Sequence, residues 1–249
     1  MPIHLYAFLV ATADPPPVEL AGVSGSRVSR LAAGDGSVSA WVSSVDAPRR
    51  PGLDDVRAHD AVVMAALASG TTPVPARWGQ HFANANECVE YLGSHGGAIT
   101  RALSRVSGMV EMGVQIELAL PDTGLNASAA REKDATTGPC SVGARSGGGR
   151  AYLEALHANR ERERFVRALG RDLALAITAV LADVARDSCT DGMESGTPPA
   201  LSLAHLIARD AAAEDRYRLA VEPFRRDPAV HLLVVNGPHA PYHFAELDR

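Results

Sequence analysis

The closing stretch AVHLLVVNGPHAPYHF, residues 229–244, constrains the fold most. Residues 229–235 are apolar and rich in β-branched side chains, which predicts a buried strand. Asn236-Gly237 ends this strand, and two prolines with the rings of Tyr242 and Phe244 follow. Chain termini fray unless they are held, so this composition predicts a docked C-terminus. The two rings either pack on the core as part of a rigid exit turn, which is their common role beside a strand end, or face a partner.

Bulk composition excludes several classes of protein. The 249 residues carry a net charge of -5, which leaves no electrostatic footprint for nucleic acid. We expect no membrane-spanning segment, because no apolar run approaches 18 residues, and no secretory signal at the N-terminus. The three cysteines, Cys88, Cys140 and Cys189, are odd in number and far apart. They favour a reducing cytoplasm and argue against a disulfide framework or a zinc site.

Periodicity predicts an α+β fold with two domains, because helices and strands interleave without a regular β-α alternation. The N-terminal domain, residues 1–120, contains strands at 3–11, 37–45 and 110–120, helices at 53–69 and 87–107, and an extended segment at 73–82. A flexible linker is predicted at 121–149, where Gly, Ser, Thr and Ala dominate. The C-terminal domain, residues 150–249, contains a long helix at 150–187, a loop at 188–199, a strand at 201–208, a helix at 210–226 that Pro223 should end or kink, and the closing strand.

Four kinds of chemical site were considered, and none is supported. His239 and His243 are four residues apart, but Pro238 and Pro241 prevent the helix that would bring them together around a metal. Gly147-Gly148-Gly149 precedes a helix but lacks the Lys-Ser/Thr ending of a phosphate-binding loop. No serine or cysteine lies in a nucleophile signature. The acidic pair Asp54-Asp55 is explained as a helix cap, and Glu111 with Glu117 as the polar face of a sheet. We therefore expect no catalytic residue, no cofactor and no metal.

Aromatic and arginine side chains in extended segments are the remaining candidates for function. Arg and aromatic residues are enriched in protein interfaces, although aromatic residues are equally common in cores. The candidate partner-binding residues are Arg77, Trp78, Phe82, Tyr242 and Phe244.

Four motifs in order resemble the gas vesicle protein F/L family. They are PARWGQHF at 75–82, VEMGV at 110–114, GGRAYL at 148–153 and GPHAPYHF at 237–244. Compared with the family pattern, Trp78 replaces a phenylalanine, His239 a tryptophan and Ala240 a proline.

This resemblance implies an accessory or minor structural protein of gas vesicles, located in the cytoplasm and at the vesicle. It implies binding to the small hydrophobic shell protein and to other accessory proteins, and no catalytic residues. It also implies an N-terminal domain with ferredoxin-like features and a C-terminal domain with a long, partly coiled-coil helix.

Two alternatives stay open. One is a small-molecule-binding or regulatory α+β protein of the same descent. The other is an enzyme that uses Glu111 or His59.

Overall fold

The structure, a computed structural model, describes residues 1–46, 51–119, 148–194 and 199–247. In these ranges the chain forms two antiparallel sheets with helices packed on them, which confirms the predicted α+β class. The predicted linker at 121–149 lies outside the described residues, except that residues 148 and 149 begin a helix. The ferredoxin-like and coiled-coil details remain predictions.

The first sheet is built around a strand that is buried on both faces. It contains β1 (Ile3–Val10), β2 (Val28–Ala32), β3 (Val38–Ser44) and β4 (Val74–Pro75) in the order β2-β3-β1-β4, and β5 (His81–Phe82) also pairs with β1. Helix α1 (Leu53–Ala68) packs on the face of β1 that carries Leu9, and helix α2 (Ala85–Val106) packs on the face that carries Phe8. The apolar residues on both faces of β1 therefore predicted its central position correctly.

Both helices of this unit begin at side-chain caps, and the acidic pair Asp54-Asp55 predicted the first of them. The Asp55 carboxylate accepts a hydrogen bond from the Gly52 amide at 3.0 Å. The Asn84 side chain accepts from the Glu87 amide at 3.0 Å, while the Glu87 carboxylate accepts from the Ala83 amide at 2.6 Å. These contacts satisfy amides that have no partner inside the helix.

The second sheet contains β6 (Met109–Leu118), β7 (Ala185–Glu194), β8 (Ala200–Ala208) and β9 (Val230–His239) in the order β7-β8-β6-β9. Helices α3 (Gly148–Val180) and α4 (Ala211–Val221) pack on one face. On the other face, Ala204 and Leu206 join the core of the first sheet. Strand β6, predicted within residues 1–120, lies between two C-terminal strands, so the sheet pairing does not follow a division at residue 120.

Three element boundaries differ from prediction. The long helix ends at Val180 rather than at 187, and β7 occupies much of the predicted loop at 188–199. Strand β7 has few apolar residues, so its own sequence carries a weak strand signal, and its structure comes from pairing with β8. Strand β9 extends to His239 instead of ending at 235. The predicted stop at Pro223 is confirmed, because α4 ends at Val221 and a 3₁₀ turn follows.

Candidate interaction site

Residues 76–80, which we call the arch, leave the edge of β1 and return to it. Strands β4 before the arch and β5 after it both pair with β1. The Ala76 amide donates to the Tyr6 carbonyl at 2.8 Å. Gly79 has a φ of +93°, a conformation that favours glycine and permits the reversal of the chain. The backbone of the arch is therefore held at both ends by one central strand.

The predicted residues Arg77, Trp78 and Phe82 have three different environments. The Arg77 side chain is 83% exposed. The half-buried Trp78 ring lies against the rings of His4 and His59, with centroids 4.9 and 5.6 Å away. Phe82 is buried in the core of the first sheet. Of these three side chains, Arg77 is the one best placed to contact another molecule.

Residues 240–247, the terminal segment, dock on the molecule as predicted. Phe244 is 6% exposed and belongs to the core shared by the two sheets. The Tyr242 hydroxyl donates to the Asp60 carboxylate at 3.3 Å. Burial, assisted by this carboxylate, raises the pKa of the Tyr242 phenol, so the hydroxyl keeps the proton that it donates. Both predicted residues of this segment are anchors.

Two charged side chains hold the terminal segment from below. The Glu111 carboxylate on β6 accepts from the His243 amide at 2.9 Å and lies 2.7 Å from the His243 Nδ1. The Arg105 guanidinium donates to the Phe244 and Glu246 carbonyls, both at 2.8 Å. Glu111 was predicted on a polar sheet face, and this was wrong, because the terminal segment covers it and leaves it 6% exposed.

The arch and the terminal segment meet at one open cleft. Arg77 Nη2 lies 2.7 Å from the Glu246 carboxylate across it. The cleft has a volume of about 480 Å³ and is lined by Phe8, Pro75, Ala76, Arg77, Gln80, Ala245, Glu246 and Leu247. The PARWGQHF motif therefore contributes one wall of the cleft, and residues 245–247, which directly follow the GPHAPYHF motif, contribute the other.

Behind the arch lies a row of three histidines, which we call the histidine chain. His81 Nε2 lies 3.1 Å from His4 Nδ1, and His4 Nε2 lies 2.9 Å from His59 Nδ1. The two ends approach backbone carbonyls of the arch: His59 Nε2 lies 3.2 Å from the Ala76 oxygen, and His81 Nδ1 lies 2.9 Å from the Gly79 oxygen. The histidine chain thus connects both ends of the arch to β1 and α1.

Burial keeps the imidazole rings of His4 and His59 neutral. Desolvation lowers the pKa of His4 to about 3, and the neighbouring rings of His59 and His81 lower it further than Asp55 can restore. Desolvation also lowers the pKa of His59, against the opposing effects of the Ala76 carbonyl and of Asp60. Sequence pattern does not reveal this cluster, because His4 is separated from His59 by 55 residues and from His81 by 77. A histidine near the start of an otherwise apolar central strand was the available signal.

The rejected chemical sites have structural explanations. Glu111 and His59 are the residues named in the enzyme alternative. Glu111 contacts His243, and His59 contacts His4 and Ala76, so both side chains hold the fold together. In the described ranges no group of three or more His, Cys, Asp or Glu side chains is arranged to hold a metal ion. Gly147 of the triple glycine lies outside the described residues, whereas the next two glycines begin α3.

Helix α3 carries several exposed apolar side chains. Its 33 residues correspond to about 50 Å, and the exposed apolar side chains along it are Tyr152, Leu153, Phe165, Leu175 and Val180. In the part of the chain that the structure covers, no helix is long and apolar enough to cross a membrane.

The fold and the site define a mixed α+β protein with two antiparallel sheets and a docked C-terminal segment. The same fold occurs in the crystal structure of the gas vesicle protein GvpF from Anabaena sp. PCC7120, with a TM-score of 0.70, 16% identity, and 100% of this chain and 97% of that chain covered. It also occurs in the crystal structure of GvpF from Microcystis aeruginosa, with a TM-score of 0.70, 18% identity and 99% of each chain covered.

The sequence places the chain in a family. The sequence model of the family described as gas vesicle synthesis protein GvpL/GvpF matches residues 2–246. The chain therefore belongs to the GvpL/GvpF family, as its four motifs predicted. Among curated proteins no match was found.

Proposed function

We propose that this chain is an accessory or minor structural protein required for gas vesicle assembly. It binds the hydrophobic shell protein and other accessory proteins, in the cytoplasm and at the vesicle. The observation that carries the proposal is the family match over residues 2–246. An N-terminal unit with ferredoxin-like features and a partly coiled-coil α3 belong to the same proposal, and the exposed apolar side chains of α3 support a role for this helix as an arm.

The arch supplies the contact with the partner. Its backbone is already ordered, since the Leu5 amide donates to the Gln80 carbonyl at 3.1 Å in addition to the Ala76 contact. A side chain on an ordered backbone loses less conformational entropy on binding than one on a mobile loop. Arg77 and the exposed part of Trp78 contact the partner, whereas Phe82, Tyr242 and Phe244 hold the surface in place.

The Arg77–Glu246 ion pair leaves Arg77 available to a partner. The two side chains are 83% and 71% exposed. Ion pairs in such exposed positions contribute about 0–1 kcal/mol to stability. A carboxylate or carbonyl group of a partner can replace Glu246 at small cost, and the guanidinium can bind it in two places.

Quantitative binding to purified shell protein tests the proposal. We expect Arg77→Ala to weaken binding at least tenfold, in the range of arginine hot spots. Arg57→Ala is the matched control, because Arg57 is also exposed and also pairs with a carboxylate, that of Asp54 at 3.5 Å. We expect it to change the affinity less than twofold.

Vesicle formation tests the same residues in cells. Replacing Arg77 and Tyr242 with Ala should abolish vesicles, provided that the purified variant keeps its fold. Normal vesicles from a folded double variant would refute the site, and failure of the wild-type chain to bind shell protein would refute the function.

The volume of the cleft favours a second candidate, a small-molecule-binding or regulatory protein. Its 480 Å³ falls within the range of small-molecule sites, about 300–1,000 Å³. Native mass spectrometry of the protein isolated from its host would reveal a bound molecule. Neighbouring genes for a short hydrophobic shell protein would favour assembly instead.

A further inference from the structure

The histidine chain contains more hydrogen bonds than three neutral rings can supply. It has four contacts: one between each pair of adjacent rings and one from each end to a backbone carbonyl. Each contact needs one proton between its two heavy atoms. A neutral imidazole carries one N–H, so three neutral rings supply three protons for four contacts. With every contact formed, the chain holds one proton more and contains one imidazolium.

The carbonyl at the buried end determines where each proton lies. The Ala76 carbonyl can only accept, so His59 carries its proton on Nε2 and accepts on Nδ1. His4 therefore donates from Nε2 to His59 and accepts on Nδ1, and His81 donates to it from Nε2. The Gly79 carbonyl also can only accept, so His81 must carry a second proton on Nδ1.

Burial agrees with this assignment. His4 is fully buried, and desolvation lowers its pKa to about 3, so this ring does not take the extra proton. The pKa of His59 is also lowered by burial. His81 is partly exposed, and its charge can be solvated.

We propose that His81 holds the extra proton as an imidazolium, and that loss of this proton releases the Gly79 end of the arch. A neutral His81 keeps its bond to His4 but turns a lone pair toward the Gly79 oxygen, and two acceptors repel each other. The arch is held at lower pH and loosened at higher pH. Because the arch carries Arg77 and Trp78, this protonation regulates partner binding, a step that rests on the proposed function.

The charged groups around the histidine chain favour a cation in it. From α1, Asp55 and Asp60 act on His4 and His59 respectively, and both favour the protonated ring. Asp60 also accepts from Tyr242 of the terminal segment.

The remaining neighbours are neutral or directed elsewhere. Burial raises the pKa of the Tyr6 phenol beside His4, and its hydroxyl is shared with Ser43 and the Val23 amide. The uncharged Trp78 ring lies against His4 and His59, with ring centroids 4.9 and 5.6 Å away. Arg77, the cation of the arch, pairs with Glu246 on the cleft side.

Imidazole ¹⁵N spectra of the full chain test the proton assignment between pH 5.5 and 9. At the lower limit we expect both nitrogens of His81 protonated, and His4 and His59 as neutral Nε2–H rings. At the upper limit we expect Nδ1 of His81 to have lost its proton while the other two rings are unchanged. A His81 that stays neutral throughout, or an Nδ1–H on His4 or His59, would overturn the proposal.

Amide exchange tests the consequence for the arch. We expect the protection factors of the Gln80 and Leu5 amides, corrected for intrinsic rates, to fall roughly tenfold across the same titration, the effect of losing one hydrogen bond from a charged donor. In His81→Gln they should be low at every pH, because glutamine can donate to His4 but cannot become a cation. His157→Gln, which changes an exposed histidine of α3, should behave as the wild type.

Binding of shell protein at both pH limits separates the two proposals. Tighter binding at the lower limit, lost in His81→Gln, supports the regulation. Equal binding at both limits with the spectral transition intact overturns the regulatory step alone. Binding at neither limit overturns the proposed function, while the spectra still decide the proton assignment.

Discussion

The substitution Glu111→Gln should undock the terminal segment while conserving shape. In the wild type, one carboxylate oxygen accepts from the His243 amide at 2.9 Å and the other lies 2.7 Å from His243 Nδ1. Glutamine keeps one oxygen and presents an NH₂ group at the other position. The NH₂ group then faces His243 Nδ1, which can accept from it only after the ring moves its proton to Nε2. Both contacts also lose the negative charge of their acceptor, in a place where Glu111 is 6% exposed and water cannot easily intervene.

The expected loss follows from these contacts. A hydrogen bond to a charged group contributes about 1.5–3 kcal/mol, and the surviving bond weakens because its acceptor is now neutral. We expect the free energy of unfolding to fall by about 2–4 kcal/mol, a large part of the roughly 5–15 kcal/mol typical of a folded domain. Glu117→Gln is the matched control, since it lies six residues further on the same strand and face but is partly exposed. It should change stability by less than about 0.5 kcal/mol.

Urea unfolding, followed by tryptophan fluorescence, measures the effect as a shift in midpoint at constant slope. Amide exchange of Tyr242 and Phe244 should report the local undocking, because their amides donate to Ala240 and Pro241 within the segment. Equal midpoints for Glu111→Gln and Glu117→Gln, with unchanged exchange in the terminal segment, would refute the reasoning.

Three further predictions concern the rest of the molecule. His4 and His205 have pKa values lowered from 6.5 to about 3 and about 4, so the unfolded chain binds more protons below pH 6.5 and stability should fall as the pH drops. Near pH 5 the slope from these two groups should be about 2.5 kcal/mol per pH unit in urea titrations at several pH values. Asn84→Ala removes the cap of α2 and should cost about 1 kcal/mol by thermal unfolding, whereas no change would contradict the capping role. Ile177→Ala in the buried stripe of α3 should cost about 2–5 kcal/mol in urea, against less than about 0.5 kcal/mol for the exposed Leu175→Ala.

Local sequence pattern predicted the helices and strands that are specified by their own residues. The helices α1 and α2 were predicted close to their observed bounds, because apolar periodicity and side-chain caps are local signals. Pattern failed at β7, whose sequence ARDSCTDGME carries mostly polar side chains. This strand is specified by pairing with β8, a contact that its own residues do not reveal.

The same limit applies to the candidate site. The docked terminus could be predicted, because prolines and aromatic rings after a strand are a local signal. The contact of Glu111 with His243 that holds it could not be predicted, since the two residues are 132 positions apart. An isolated Glu on an alternating strand instead predicts a solvent-exposed side chain. The histidine chain could not be predicted for the same physical reason. Its three residues come together only because α1 and β5 pack against β1, and no local pattern reveals that packing.

The exposure of the five predicted residues separates two tasks within the motifs. Phe82 and Phe244 are buried, and Tyr242 holds Asp60, so these side chains shape the cleft from behind. Arg77 reaches solvent on an ordered arch, and the Trp78 ring closes the histidine chain on one side. Under the proposed function, substitutions of Arg77 change the affinity for the partner, and substitutions of the buried residues behind it change how firmly the arch and the terminal segment are held.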